Sequence, residues 1–239
     1  MIDLNHQPKF HEKVTALVDA AMQAENVSRE KRRYLGASRL GIACERALQF
    51  EYADAPVDAG AEFPGRTLRI FEVTKPVIAA INGACAGIGL TQALMCDVRF
   101  AAAGAKFTTS FARRGLIAEY GISWILPRVI GWGPALDLLL SGRVFLAEEA
   151  AELGMVKEVV APDELLPRAI AYAEDIAANC APSSLAVIKR QVYGDAMRGL
   201  AESSGLAETL MHESMRRPDF IEGITAFFEK RSPNFPPLT

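Results

Sequence analysis

Residues 74–131 read TKPVIAAINGACAGIGLTQALMCDVRFAAAGAKFTTSFARRGLIAEYGISWILPRVIG, and the alternation inside this run decides the fold. Val77–Ile81 is a compact run of β-branched and small apolar residues, the pattern of a strand covered on both faces, and Asn82-Gly83 is a turn dipeptide. Gly87-Ile-Gly89 follows and leads into a short apolar helix over Leu90–Cys96. Asp97–Ala101 and Lys106–Thr109 read as further strands, and Gly115 and Gly121 mark loops. Short strands alternating with helices predict an α/β arrangement.

Downstream, Pro134–Leu140 begins a helix with proline in its first turn, Ala147–Leu153 is a helix stopped by Gly154, and Val156–Val160 is a strand. The remainder is helical. Asp163–Asn179 opens on an aspartate expected at the N-cap; Pro182 to about Met197, Ala201–Met215 and Pro218–Lys230 follow as three more helices. Upstream of Thr74 the texture differs, with amphipathic helical spacing over Glu12–Met22 and Arg39–Tyr52, the basic run Ser28–Arg33, and turn-formers over Asp54–Gly60.

Composition narrows the function classes. With 239 residues, 50% hydrophobic and 23% charged, the chain can bury a substantial core. A net charge of −3 gives no basic excess of the kind that marks nucleic-acid binding, so no nucleic-acid partner is expected. Cys44, Cys85, Cys96 and Cys180 are scattered without metal-ligand spacing, which favours buried free thiols, no metal site and a reducing cytoplasm. No apolar run reaches the length of a membrane span, and Met1–Phe10 lacks the pattern of a signal peptide, so no membrane partner is expected either.

Two features carry candidate chemistry. Gly87-Ile-Gly89 at a helix start can present unpaired backbone N–H groups to a developing oxyanion; the same glycines also suit a tight structural turn. The segment is not a dinucleotide fingerprint, because the third glycine and the later acidic residue are missing. Glu119 lies among Leu116, Ile117, Ala118, Tyr120, Ile122 and Trp124, where desolvation is expected to raise its pKa and suit it to moving a proton near neutrality. A glutamate before Gly121-Ile-Ser is equally a partner for the dipole of the following helix.

From Thr74 onward the chain resembles the crotonase superfamily, the enoyl-CoA hydratase and isomerase group. The resemblance rests on Lys75–Gly83, the glycine loop, Ala93–Asp97, Ala105–Phe107, Leu126–Gly131, Leu140–Arg143, Ala147–Val156 and the closing Pro218–Arg231. It implies a crotonase-like ββα spiral over 74–162, N-terminally incomplete, followed by a helical C-terminal oligomerisation region over 163–239, with 1–73 outside the match. The implied substrate is an acyl-CoA thioester, coenzyme A entering as part of the substrate and no other cofactor being needed; the implied assembly is a homotrimer or hexamer.

The resemblance also assigns roles residue by residue. Ile88 falls where the family places an oxyanion donor, with Gly87 and Gly89 beside it. Thr91 and Phe111 stand where two-glutamate hydratases carry their acids, so both acids are absent here. Phe107–Gly115 followed by Glu119 is similar to the peroxisomal-type delta-3, delta-2 enoyl-CoA isomerases, in which one glutamate shuttles a proton between C2 and C4. Thr91, Phe111 and Trp124 are then expected to line the acyl site, and Phe227 and Lys230 to touch coenzyme A from a neighbouring subunit. At the front, no N-R-P turn is found. Asp58–Glu62 echoes the family's second oxyanion loop, which turn composition explains equally well. An enzyme of the isomerase or hydratase type is expected, against the alternative of a catalytically weak or inactive acyl-CoA-binding protein or chimera lacking half of the site.

Overall fold

The computed structural model of the chain describes residues 70–237. The helices expected over Glu12–Met22 and Arg39–Tyr52, and the Asp58–Glu62 loop, lie outside the described residues.

Six short strands and eight α-helices follow in order: β1 (Ile78–Ile81), β2 (Cys85–Ala86), α1 (Ile88–Met95), β3 (Val98–Ala102), β4 (Lys106–Thr108), α2 (Ile122–Ile130), α3 (Trp132–Ser141), β5 (Phe145–Leu146), α4 (Ala147–Glu152), β6 (Glu158–Val160), α5 (Leu165–Asn179), α6 (Pro182–Asp195), α7 (Leu200–Ser214) and α8 (Pro218–Glu229). Among the described residues they form two three-stranded sheets, ordered β1-β3-β6 and β2-β4-β5. The first is parallel throughout, pairing Ile78 with Val98 and Phe100 with Glu158. In the second, β2 runs parallel to β4 and β5 antiparallel to it.

β3 is the central strand, and its side chains alternate between two environments as strand geometry requires. Val98, Phe100 and Ala102 join a cluster with Leu165, Ala169 and Tyr172 of α5. Ala101, on the opposite face, belongs to the main core with Leu90 and Leu94 of α1, Ile122, Ile125 and Leu126 of α2, Leu138 of α3, Phe107 and Phe145. The Phe107 and Phe145 rings stack across β4 and β5 with centroids 5.6 Å apart.

Several expectations shift. β1 was expected to be covered on both faces, yet only Ile81 is buried; among the described residues β1 lies at an edge of its sheet, which leaves Ile78, Ala79 and Ala80 half-buried. α1 starts at Ile88, not Leu90, so the glycine loop is shorter than the sequence reading made it. α5 is flanked by Glu164, not by Asp163, and no side chain caps it. The two-residue strands β2 and β5 escaped the sequence reading because two residues carry no periodicity.

Beyond α5, which packs on β3 through the apolar cluster above, polar contacts tie α6 to the sheet and α8 to α6. Lys189 of α6 is buried and its Nζ donates to Asp97 Oδ2 (2.8 Å) and to the Lys75 carbonyl (3.1 Å). Tyr193 Oη donates to Asp97 Oδ1 (2.7 Å), and the Val77 N–H to Asp97 Oδ2 (2.6 Å). One carboxylate therefore joins β1, the start of β3 and α6. Burial, followed by its bond to Asp97, pushes the Tyr193 phenol well above its ordinary pKa. Ser183 of α6 also donates to the buried Asp219 of α8. Among the described residues no helix is long and apolar enough to cross a membrane.

Candidate active site

The N-terminal end of α1 is built on the glycine loop. Gly87, its N-cap, has φ 53 and ψ −120, backbone that a Cβ would strain. Its N–H is spent on the Thr108 carbonyl of β4 (3.1 Å), which ties the loop to the second sheet. The first turn has no acidic residue and no side-chain cap. The Ile88 and Gly89 N–H groups have no acceptor among the described residues, so the positive end of the helix dipole and two oriented donors face outward. Ile88 is 40% exposed, and its branched side chain coexists with the free backbone donor.

Thr91 and Phe111 close in on the same loop from inside. Thr91 is fully buried, and its N–H (3.0 Å) and hydroxyl (3.1 Å) both donate to the Gly87 carbonyl. It shapes the turn with its own hydroxyl and turns no polar group outward. A Cβ on Gly87 would lie 3.8 Å from Phe111 Cε1, so the buried Phe111 ring packs directly against the loop. The two positions that the resemblance aligned with hydratase acids thus flank the glycine loop, and both are sealed by non-ionisable side chains.

Phe111 is carried on a loop anchored to the C-terminal end of α3. Thr109 Oγ1 donates to the Leu138 carbonyl (2.7 Å), Thr108 Oγ1 to Gly142 (3.0 Å) and Arg113 Nε to Ser141 (2.8 Å). The Ser141 and Gly142 carbonyls lie where the helix runs out of intrahelical donors, while the Leu138 carbonyl accepts the Thr109 hydroxyl in addition to the Gly142 N–H (3.1 Å). Between the anchors, Ser110 has φ 65, a conformation costing a non-glycine residue about 1–2 kcal/mol. Sequence reasoning missed these anchors; the Thr108-Thr109 pair at the strand end was the available signal.

Glu119 heads a tight turn. Its carbonyl accepts from the Ile122 N–H (3.1 Å), while Tyr120 (φ 54) and Gly121 (φ 82) both take left-handed backbone, the signature of a type I′ turn. Tyr120 is the second strained non-glycine residue in this region. A Cβ on Gly121 would lie 3.9 Å from Met95 Cε, so the turn rests against the last residue of α1. Glu119 was expected to be enclosed by apolar neighbours; it is half-buried, with Leu116, Ile117 and Tyr120 turned to the surface. Trp124, one turn into α2, is half-buried under the Arg128 guanidinium, 4.0 Å from the ring centroid.

Phe227 and Lys230 are placed elsewhere. Phe227 on α8 is 79% exposed and edge-on to Phe228, and Lys230 ends the helix in left-handed backbone. Among the described residues no group of three or more metal-binding side chains occurs.

Comparison with known proteins shows the family. Residues 52–237 match the family model of enoyl-CoA hydratase/isomerase, so the match begins ahead of Thr74 and takes in Asp58–Glu62. The chain is 37% identical over 183 residues to the enoyl-CoA hydratase ACTT3 of Alternaria alternata, covering 76% of this chain and 60% of that protein. It is 38% identical over 168 residues to the 1,2-epoxyphenylacetyl-CoA isomerase of Escherichia coli (strain K12), covering 70% of this chain and 63% of that one. A crystal structure of the enoyl-CoA hydratase EchA12_1 from Mycobacterium marinum is 63% identical with a TM-score of 0.55, over 65% of this chain and 84% of that chain. The chain spans about 60% of the length of the first of these relatives. On these matches and on its crotonase-like core, the chain belongs to the enoyl-CoA hydratase/isomerase family.

Proposed function

We propose that the chain acts on an acyl-CoA thioester as an enoyl-CoA isomerase, with Glu119 as the one acid/base. The observation that carries this reading is the pair of unclaimed N–H groups at Ile88 and Gly89 on an uncapped helix end. A thioester carbonyl seated there gains most when a proton leaves its α-carbon and charge builds on the oxygen. Glu119 takes that proton from C2 and the electron pair passes to the carbonyl oxygen as an enolate. The same carboxyl group then returns the proton at C4, moving the double bond into conjugation with the thioester; no atom is gained or lost. The hydroxyl of Thr91 is committed to Gly87 and Phe111 supplies an aromatic ring, so neither can activate water for addition across the double bond. This favours the isomerase over the hydratase.

The test is turnover of a 3-enoyl-CoA by the chain and by Glu119→Gln. Loss of the only proton carrier is expected to lower kcat about 10²–10⁴-fold; equal rates for the two proteins would refute the reading. The second reading, an acyl-CoA-binding protein without turnover, is favoured by the surroundings of Glu119, whose neighbours Leu116, Ile117 and Tyr120 are exposed rather than closed over it. It predicts thermal stabilisation by CoA esters with no isomerisation. A homo-oligomer and a reducing, cytoplasmic setting complete the proposal, supported by the exposed apolar side chains of α8 and by the free thiols of Cys85 and Cys180.

A further inference from the structure

The donors at Ile88 and Gly89 sit on one end of a helix of eight residues, about 12 Å long, so whatever holds the other end also aims them. That other end is packed through the buried Leu94 and Met95 and, among the described residues, is capped by one cation. Arg99, on the core-facing side of β3, directs Nη1 at the carbonyls of Cys96 (2.5 Å), Leu94 (3.4 Å) and Ala93 (3.5 Å), the last-turn acceptors of α1. Its Nε donates to the Met155 carbonyl (2.7 Å) in the buried segment leading to β6. No basic residue occurs in the last turn of α1 itself, and no acidic residue in its first. The positive complement to the negative end of the helix therefore comes from a different element. Burial pulls the guanidinium pKa below its ordinary value, with Cys96, Tyr193 and Asp97 offsetting part of the loss; from so high a starting point it stays charged at neutral pH.

We propose that Arg99 is a positioning residue for the oxyanion end of α1, fixing the direction of the Ile88 and Gly89 N–H groups and reinforcing their field from the far end of the helix. The proposal rests on the reading that a thioester oxygen binds at those donors. A guanidinium spans the helix end and the Met155 carbonyl together; an ammonium is one point charge and cannot hold both with the same geometry. Arg99→Lys thus keeps the charge and loosens the aim, while Arg99→Met removes both.

The experiment uses the full 239-residue chain and acetoacetyl-CoA, a β-keto thioester whose enolate has its own near-ultraviolet band. The pH at which the bound ligand enolises reads the oxyanion field directly, and kcat and KM on a 3-enoyl-CoA are measured alongside. In Arg99→Lys, with native circular dichroism, the band is expected to move to higher pH and kcat to fall about tenfold while KM stays within about twofold. Arg99→Met is expected to lose more. If Arg99→Lys enolises the ligand at the unsubstituted pH and keeps its kcat, the proposal is overturned, even where Arg99→Met fails to fold. If the unsubstituted chain binds acetoacetyl-CoA and yields no enolate band, the oxyanion reading itself fails and the role of Arg99 falls with it.

Discussion

The stretch from β1 to β6 and the helices from α6 to α8 use apolar residues in opposite ways, with α5 packing on β3 between them. In the first, Phe100, Phe107, Leu90, Leu94, Ile122, Leu126 and Leu138 are sealed inside. In the second, α7 buries no residue at all, α6 buries only Lys189, and α8 buries Asp219 and Ala226 while Ile221, Phe227 and Phe228 face outward. The first region is held by burial, and α5 is held to it by the apolar cluster of Leu165, Ala169 and Tyr172; the second, beyond α5, is held by a few satisfied polar groups. Stability and candidate chemistry therefore reside in one part of the molecule, and surface available for contact in the other.

The largest expected effect would come from the sealed region. Phe107→Ala, which empties a fully buried ring position stacked on Phe145, is expected to destabilise by about 3–5 kcal/mol in denaturant titration. A small loss would show that the core around β4 is not the main store of stability. Next comes the joint between the regions. Lys189→Met leaves the Asp97 carboxylate without its cation, 2.8 Å away, and is expected to cost about 3 kcal/mol. Adding Asp97→Asn should recover part of that loss, because the stranded charge is gone. If the single variant unfolds as the unsubstituted chain does, α6 is attached by something other than this carboxylate.

Phe227→Ala is expected to change the stability of the monomer by no more than about 0.5 kcal/mol, as for exposed positions generally. Its effect belongs in the oligomeric state read by light scattering, where an unchanged assembly would remove α8 from the contact. The smallest effect concerns the tail. Arg231 and the Asn234 N–H hold the Glu222 carboxyl at a pKa of about 2, below its ordinary 4.5. The bound form is thus favoured above pH 4.5, and that contribution is lost as the pH falls through about 2. A carboxyl NMR titration should give a midpoint near 2 that returns toward 4.5 in Arg231→Gln.

Much of the sealed region was legible in the sequence because its signals are local. Val77–Ile81, Asp97–Ala101 and Lys106–Thr109 announce strands through β-branched and small residues, and each lies within a residue or so of its observed place. Of the candidate site, the glycine turn at a helix start was legible in the residues themselves; Thr91, Phe111 and the role of Glu119 came through the family resemblance, and those roles belong to the proposal. What the sequence could not carry is how those parts are held. Arg99 meets Met155 across 56 positions and Lys189 meets Asp97 across 92, and such pairings leave no mark on local periodicity. Burial of β1 was overestimated for a related reason: an apolar run specifies a strand, while its place in the sheet depends on partners elsewhere in the chain.

The alternation along β3 adds a consequence for sequence drift. Val98, Phe100 and Ala102 face α5 while Arg99 faces the carbonyls of α1, so a one-residue insertion early in the strand would exchange the two sets. A guanidinium would then enter the apolar layer under α5, and a phenyl ring would meet the carbonyls at the end of α1 that Arg99 now serves. Neither error can be relieved by repacking. β3 is therefore a place where substitutions can accumulate on one face at a time, while changes of length are forbidden.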